Sequence, residues 1–111
     1  MPSMTTYKIG DIVLIGFPQS DLKHIAKRPA IVLFDAGDED ILVARVTTQE
    51  YTTRTDCKVQ NWSGCGLMAE SHIRLGKQAT LEKRLVIRHL GRLEESEIDQ
   101  VRSILQKMFI P

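Results

Sequence analysis

At 111 residues, with 42% apolar and 26% charged side chains and a formal net charge of +1, the chain has the size and make-up of one ordinary globular domain. No apolar run approaches the roughly 18 residues that span a bilayer, and no basic segment followed by an apolar one opens the chain, so neither a membrane span nor a secretory signal is expected. The near-balanced charge leaves any nucleic-acid affinity to local clusters. Cys57 and Cys65 are too few for a disulfide framework and fit no zinc spacing, so free thiols in a reducing cytoplasm are expected, with no metal and no cofactor.

In chain order, Gly10-Asp11 reads as a turn that launches a first strand over residues 11–17, Asp-Ile-Val-Leu-Ile-Gly-Phe. Its β-branched, nearly continuous apolarity suits a strand buried on both faces, as in a small barrel. Pro18 should end it. Residues 30–34, Ala-Ile-Val-Leu-Phe, give a second strand, and residues 41–46, Ile-Leu-Val-Ala-Arg-Val, a third. The acidic stretch between them, residues 35–40, reads as a solvated hairpin tip.

The connection between the first two strands, residues 17–29, is far longer than a tight hairpin, and loops of that length are usually functional or disordered. It carries Lys23, His24, Lys27 and Arg28 within six positions and reads as the floor of an anion site. Pro29 pushes Arg28 into an extended conformation. The third strand ends in Thr47-Thr48-Gln49, and an antiparallel hairpin turned at residues 35–40 brings Thr47 back beside Arg28. A hydroxyl and a guanidinium therefore meet from distant positions.

Residues 50–55 are polar and read as a mobile loop or an exposed strand edge. Residues 56–60 suit a short edge strand, and residues 61–66 form a glycine-punctuated turn carrying Trp62, either a packing residue or a platform for an unpaired base. Residues 71–75 alternate as a half-buried strand, and Thr80-Leu81-Glu82-Lys83 resembles a capping box that starts a single helical turn. Residues 85–93 make another strand, with Arg88, His89 and Arg92 read as a solvated basic face. Acidic Glu94, Glu95 and Glu97 then open a helix of about sixteen residues at helical periodicity, with Ile98, Val101, Leu105 and Met108 in one stripe.

Taken together, Gly10-Asp11-Ile12-Val13-Leu14, Phe17-Pro18, Asp21-Leu22, Lys27-Arg28-Pro29-Ala30-Ile31-Val32-Leu33 and Val46-Thr47-Thr48-Gln49 resemble the first half of MazF/PemK-type toxins of bacterial type II toxin–antitoxin systems. Asn61-Trp62, Gly66-Leu67, Ser71, Arg74-Leu75, Thr80-Leu81-Glu82-Lys83, Arg88 and Leu90-Gly91-Arg92-Leu93 resemble the second half of the PemK-like branch. The resemblance implies a mainly β fold with a C-terminal helix, a small SH3-like β-barrel of the MazF/PemK/CcdB type, in a single domain over residues 1–111. It implies a homodimer in the cytoplasm that cleaves single-stranded RNA without a metal and is restrained by a cognate antitoxin. Carried over by position, Arg28 and Thr47 are the catalytic pair. Gln19, Ser20, Lys23, Lys27, Thr48 and Gln49 are candidate RNA contacts, and His24, the one loop residue that titrates near neutral pH, is a candidate proton shuttle. A catalytically silent module that binds antitoxin or nucleic acid, and a gyrase-poisoning toxin on the same fold, are the alternatives; neither needs the arginine–threonine pair.

Overall fold

The computed structural model describes residues 5–18 and 23–110. These form six strands, β1 (Asp11–Pro18), β2 (Ile25–Phe34), β3 (Asp40–Thr47), β4 (Asp56–Lys58), β5 (His72–Glu82) and β6 (Val86–Arg92), followed by a helix, α1 (Glu95–Phe109). The strands pair antiparallel in the order β4-β5-β3-β2-β1-β6. The mainly β architecture with a C-terminal helix is therefore as expected. β4 and β6 remain the two edges, so among the described residues hydrogen bonds do not close the sheet into a ring.

The unbroken apolar runs in the first three strands have a simple cause: the sheet is covered on both faces. Alternate strand residues point to opposite sides. On one side Ile12, Ile31, Leu33, Ala44 and Val46 pack with Ile73 and Leu75 of β5 and with Ile98 and Val101 of α1. On the other, Val13, Ile15, Ala30, Val32, Ile41 and Val43 form a second core, closed by the partly buried Tyr7, Phe17, Leu81, Leu85 and Val86. Trp62 packs, partly buried, against the first core, in line with the packing reading.

The helix follows its stripe. Ile98 and Val101 are fully buried, while Ile104, Leu105 and Met108 pack partly buried against the larger core. Glu97 does more than complement the helix dipole: it is buried, and its Oε2 accepts the Gln60 N–H at 2.9 Å, tying the helix start to the chain beyond β4. Close to the same helix start, Gly10, at φ +95°, donates its N–H to the Val32 carbonyl and accepts from the Leu93 N–H. The turn expected there is present.

Three expectations are corrected. β2 begins at Ile25 rather than Ala30, because its first residues pair with β1, from Pro18–Ile25 to Leu14–Pro29. β5 runs unbroken to Glu82, so Thr80 and Glu82 belong to a strand; Asp40, Ile41 and Leu42 pair with Glu82, Leu81 and Thr80, and a cross-strand ladder outweighs a local capping preference. The helical turn lies just beyond, as a 3-10 turn over Lys83–Leu85 with no side-chain cap. Residues 50–55 form a hydrogen-bonded turn and not a strand edge. Asp56 accepts both the N–H and the hydroxyl of Thr53, at 3.0 and 2.6 Å, and pairs with Arg74 at 3.1 Å.

The acidic tip is also more than solvated. The Asp35 side chain is fully shielded; it accepts the Tyr7 and Gly37 N–H groups, each at 2.7 Å, and pairs with Lys83 at 3.0 Å. One carboxylate thus fastens the N-terminal segment, the hairpin and the 3-10 turn.

Candidate active site

Arg28 sits on β2 opposite Ile15 of β1. The β2–β3 ladder begins only at Ala30–Arg45, so the stretch of β2 before it is hydrogen-bonded on one side, the setting in which a strand tolerates Pro29. Continuing that register two positions sets Arg28 across from Thr47 where the two strands part. Arg28 lies on the same face of β2 as Ala30 and Val32, and Thr47 on the same face of β3 as Val43, both being the face of the second core. The register is thus compatible with the convergence expected from the hairpin, though the ladder itself ends at Ala30–Arg45.

Thr47 is half-buried, and its Oγ1 accepts the Gln49 N–H at 3.1 Å. That bond uses a lone pair and leaves the hydroxyl proton free to be donated. The strand end is braced from outside. Tyr51 donates its phenol to Gln49 Oε1 at 3.0 Å, and the Arg74 guanidinium stacks on the Tyr51 ring 3.6 Å from its centroid. Asp56 holds Arg74 in turn. Burial pushes the Asp56 carboxyl up, but the Thr53 groups and Arg74 outweigh it and keep it below the usual carboxylate range. Across the β3–β5 ladder Thr47 pairs with His72, which is buried.

Arg28 lines a cavity of about 550 Å³; Thr47 is not part of its wall. Its apolar wall includes Phe17, Pro29, Val43 and Leu81, and its polar groups are Arg28, Arg45, Lys77 and Gln78. Arg45 and Lys77 were not singled out in the sequence. Arg45 could have been, since it precedes Thr47 by two residues and so shares its face. Lys77 could not, because its place depends on an irregularity in β5: Ala44 pairs with Gln78 and the next residue, Arg45, with Arg74.

The other candidates are scattered. Lys27 pairs with Gly16 and, as the neighbour of Arg28 in a strand, faces the opposite side of the sheet. Lys23 and His24 are exposed and precede β2. At the usual strand rise, His24 stands about 13 Å along the chain from Arg28. Thr48 and Gln49 are exposed just past the end of β3. Gln19 and Ser20 lie outside the described residues.

Among solved structures, the chain is similar to an endoribonuclease in complex with its cognate antitoxin from a mycobacterial species, at 17% identity and a TM-score of 0.74, over 93% of this chain and 95% of that one. It is also similar to an endoribonuclease from a mycobacterial species, at 14% identity and a TM-score of 0.76, over 97% and 95%. A third is the Mycobacterium tuberculosis toxin MazF-mt6, at 20% identity and a TM-score of 0.70, over 89% and 95%. No curated protein matches the sequence. These likenesses establish the fold. The family model for PemK-like, MazF-like toxins of type II toxin–antitoxin systems matches residues 8–109, nearly the whole chain, and the protein belongs to that family.

Proposed function

We propose that this toxin is an endoribonuclease that cuts single-stranded RNA without a metal ion, with the RNA's own 2′-hydroxyl as nucleophile. The observation that carries the reading is Arg28: a guanidinium without an acidic partner among the described residues, on the wall of a cavity and two positions beyond the last β2–β3 pair, on the side where β3 runs on to Thr47. The similarity in fold to mycobacterial endoribonucleases supports it.

In this reaction the 2′-oxygen bonds to phosphorus as the bond to the 5′-oxygen breaks, leaving a 2′,3′-cyclic phosphate and a 5′-hydroxyl. One proton leaves the 2′-hydroxyl and one reaches the 5′-oxygen. Charge grows on the non-bridging phosphoryl oxygens. The planar fork of Arg28 meets two such oxygens at once, and Thr47 donates its hydroxyl to the same group. Arginine stays protonated, so its part is electrostatic. With His24 so far along the chain, water is the proton carrier in this reading. The protein acts as a cytoplasmic homodimer, restrained by a cognate antitoxin whose flexible segment folds over the cationic groove.

A labelled single-stranded RNA incubated with the purified protein in EDTA tests the proposal. Cleavage to fragments ending in a cyclic phosphate is expected. Intact RNA over a range of oligonucleotide sequences would overturn it in favour of a silent binding module, or of a gyrase poison if supercoiling by gyrase is inhibited in parallel.

A further inference from the structure

Part of the domain's basic charge is neutralised in place. Lys58, Arg74, Lys83, Arg84, Arg92 and Arg102 each pair with a carboxylate. Arg28, Arg45 and Lys77 do not: among the described residues none of the three has an acidic partner, and all three line one cavity. Three like charges around an apolar hollow are mutually repulsive and are stabilised by anions placed between them.

The backbone is shaped to put Lys77 there. Between the Ala44–Gln78 and Arg45–Arg74 pairs, three residues of β5, Leu75 to Lys77, have no partner on β3. This arch is pinned on both sides, by the Gln78 side-chain amide donating to the Leu75 carbonyl at 2.8 Å and by the Leu75 N–H donating to the Thr55 carbonyl at 3.0 Å. Such bulges re-aim a side chain next to a site. Arg45 comes from the facing strand, paired with Ala30, two residues from Arg28.

We infer that Arg45 and Lys77 hold the RNA phosphate next to the one cleaved, with the intervening nucleotide's base seated against Phe17, Pro29 and Leu81. The cavity's volume of about 550 Å³ and its apolar wall suit one unpaired nucleotide. The inference rests on the ribonuclease reading and adds to it the residues that set how the strand lies across Arg28.

The test uses binding of a fluorescent single-stranded RNA carrying 2′-O-methyl groups, which stays uncut. Arg45→Met and Lys77→Met should each weaken binding about tenfold. Each should also flatten the slope of log affinity against log salt by roughly 0.7, the value for one phosphate contact on a single strand. Lys107→Met, at the far end of α1, should leave both unchanged, and unaltered circular dichroism of the variants confirms folding. Wild-type affinity and slope in both variants would overturn the inference. So would a loss confined to binding of an acidic antitoxin peptide, which would make the cavity a protein-binding site. Either result leaves the ribonuclease reading standing if the unmodified RNA is still cut, whereas an uncut substrate would sink that reading first.

Discussion

Ile15 faces Arg28 across the β1–β2 ladder, with Leu14 and Pro29 paired beside them. Ile15 is fully buried, so the backbone that carries the arginine is anchored to the core while its side chain lines an open cavity. A catalytic group held on a strand keeps its aim better than one on a loop. The site is therefore rigid on the β2 side, and the strand end at Thr47 is braced by Gln49, Tyr51 and Arg74.

Arg28→Ala should lower RNA cleavage by about a hundredfold or more, with the thermal midpoint unchanged, because the side chain is exposed and has no acidic partner among the described residues. Arg28→Lys keeps the charge and loses the fork, so it should recover only part of the rate. Thr47→Val removes the donor at nearly constant shape and should cost less than Arg28→Ala. Single-turnover rates on one oligonucleotide would rank the three; wild-type cleavage by Arg28→Ala would remove the site assignment.

Asp35 should make stability fall in acid. Burial pushes its carboxyl up, but the Tyr7 and Gly37 N–H groups and the Lys83 ammonium more than offset this and hold it below its ordinary value. A carboxyl lowered in the folded state contributes stability above its unfolded value and loses it as pH falls through the folded one. Denaturant melts from pH 7 down to pH 2 should show this loss in the wild type and a smaller one in Asp35→Asn. Asp35→Ala, which strands Lys83 and two N–H groups, should cost on the order of 3 kcal/mol at pH 7.

Gly66 has φ +87°, and a side chain there would run into the Leu90 carbonyl, while one at Gly91 would run into the Cys65 carbonyl. The two backbones pass too close for any Cβ. Gly66→Ala should cost at least about 2 kcal/mol, through both backbone strain and the clash, and lower the yield of folded protein. Gly37→Ala, also at positive φ (+88°) but in open space, should be milder.

Both thiols should be inert in the native protein. Burial, then the Glu97 and Asp56 charges, push the Cys57 thiol up to about 11, and burial with Glu97 and Glu94 raises Cys65 as well. Since only the thiolate reacts, a disulfide reagent at pH 8 should find almost no free thiol until denaturant is added, and then two per chain. Rapid labelling of the folded protein would contradict this burial.

Local chemistry carried much of the fold into view. β-branched runs in 11–15, 30–33 and 41–46 mark strands wherever they sit, and the three–four spacing of Ile98, Val101, Leu105 and Met108 marks a helix with one buried face. Because antiparallel register follows from where a hairpin turns, the pairing of β2 with β3 that points Arg28 toward Thr47 could also be read from the order of residues. What the sequence alone could not decide was set by partners distant along the chain. β2 extends back through Lys27 and Arg28 because β1 offers a ladder there, which splits those two cations onto opposite faces. Thr80 forms strand rather than helix cap because Leu42 lies beside it. Lys77 enters the cavity because β5 bulges between two pairings with β3, and Asp35 becomes a buried clasp because Tyr7 and Lys83 converge on it. Local preferences are worth a fraction of a kcal/mol per residue, and a cross-strand partner or a buried ion pair decides where they are that finely balanced.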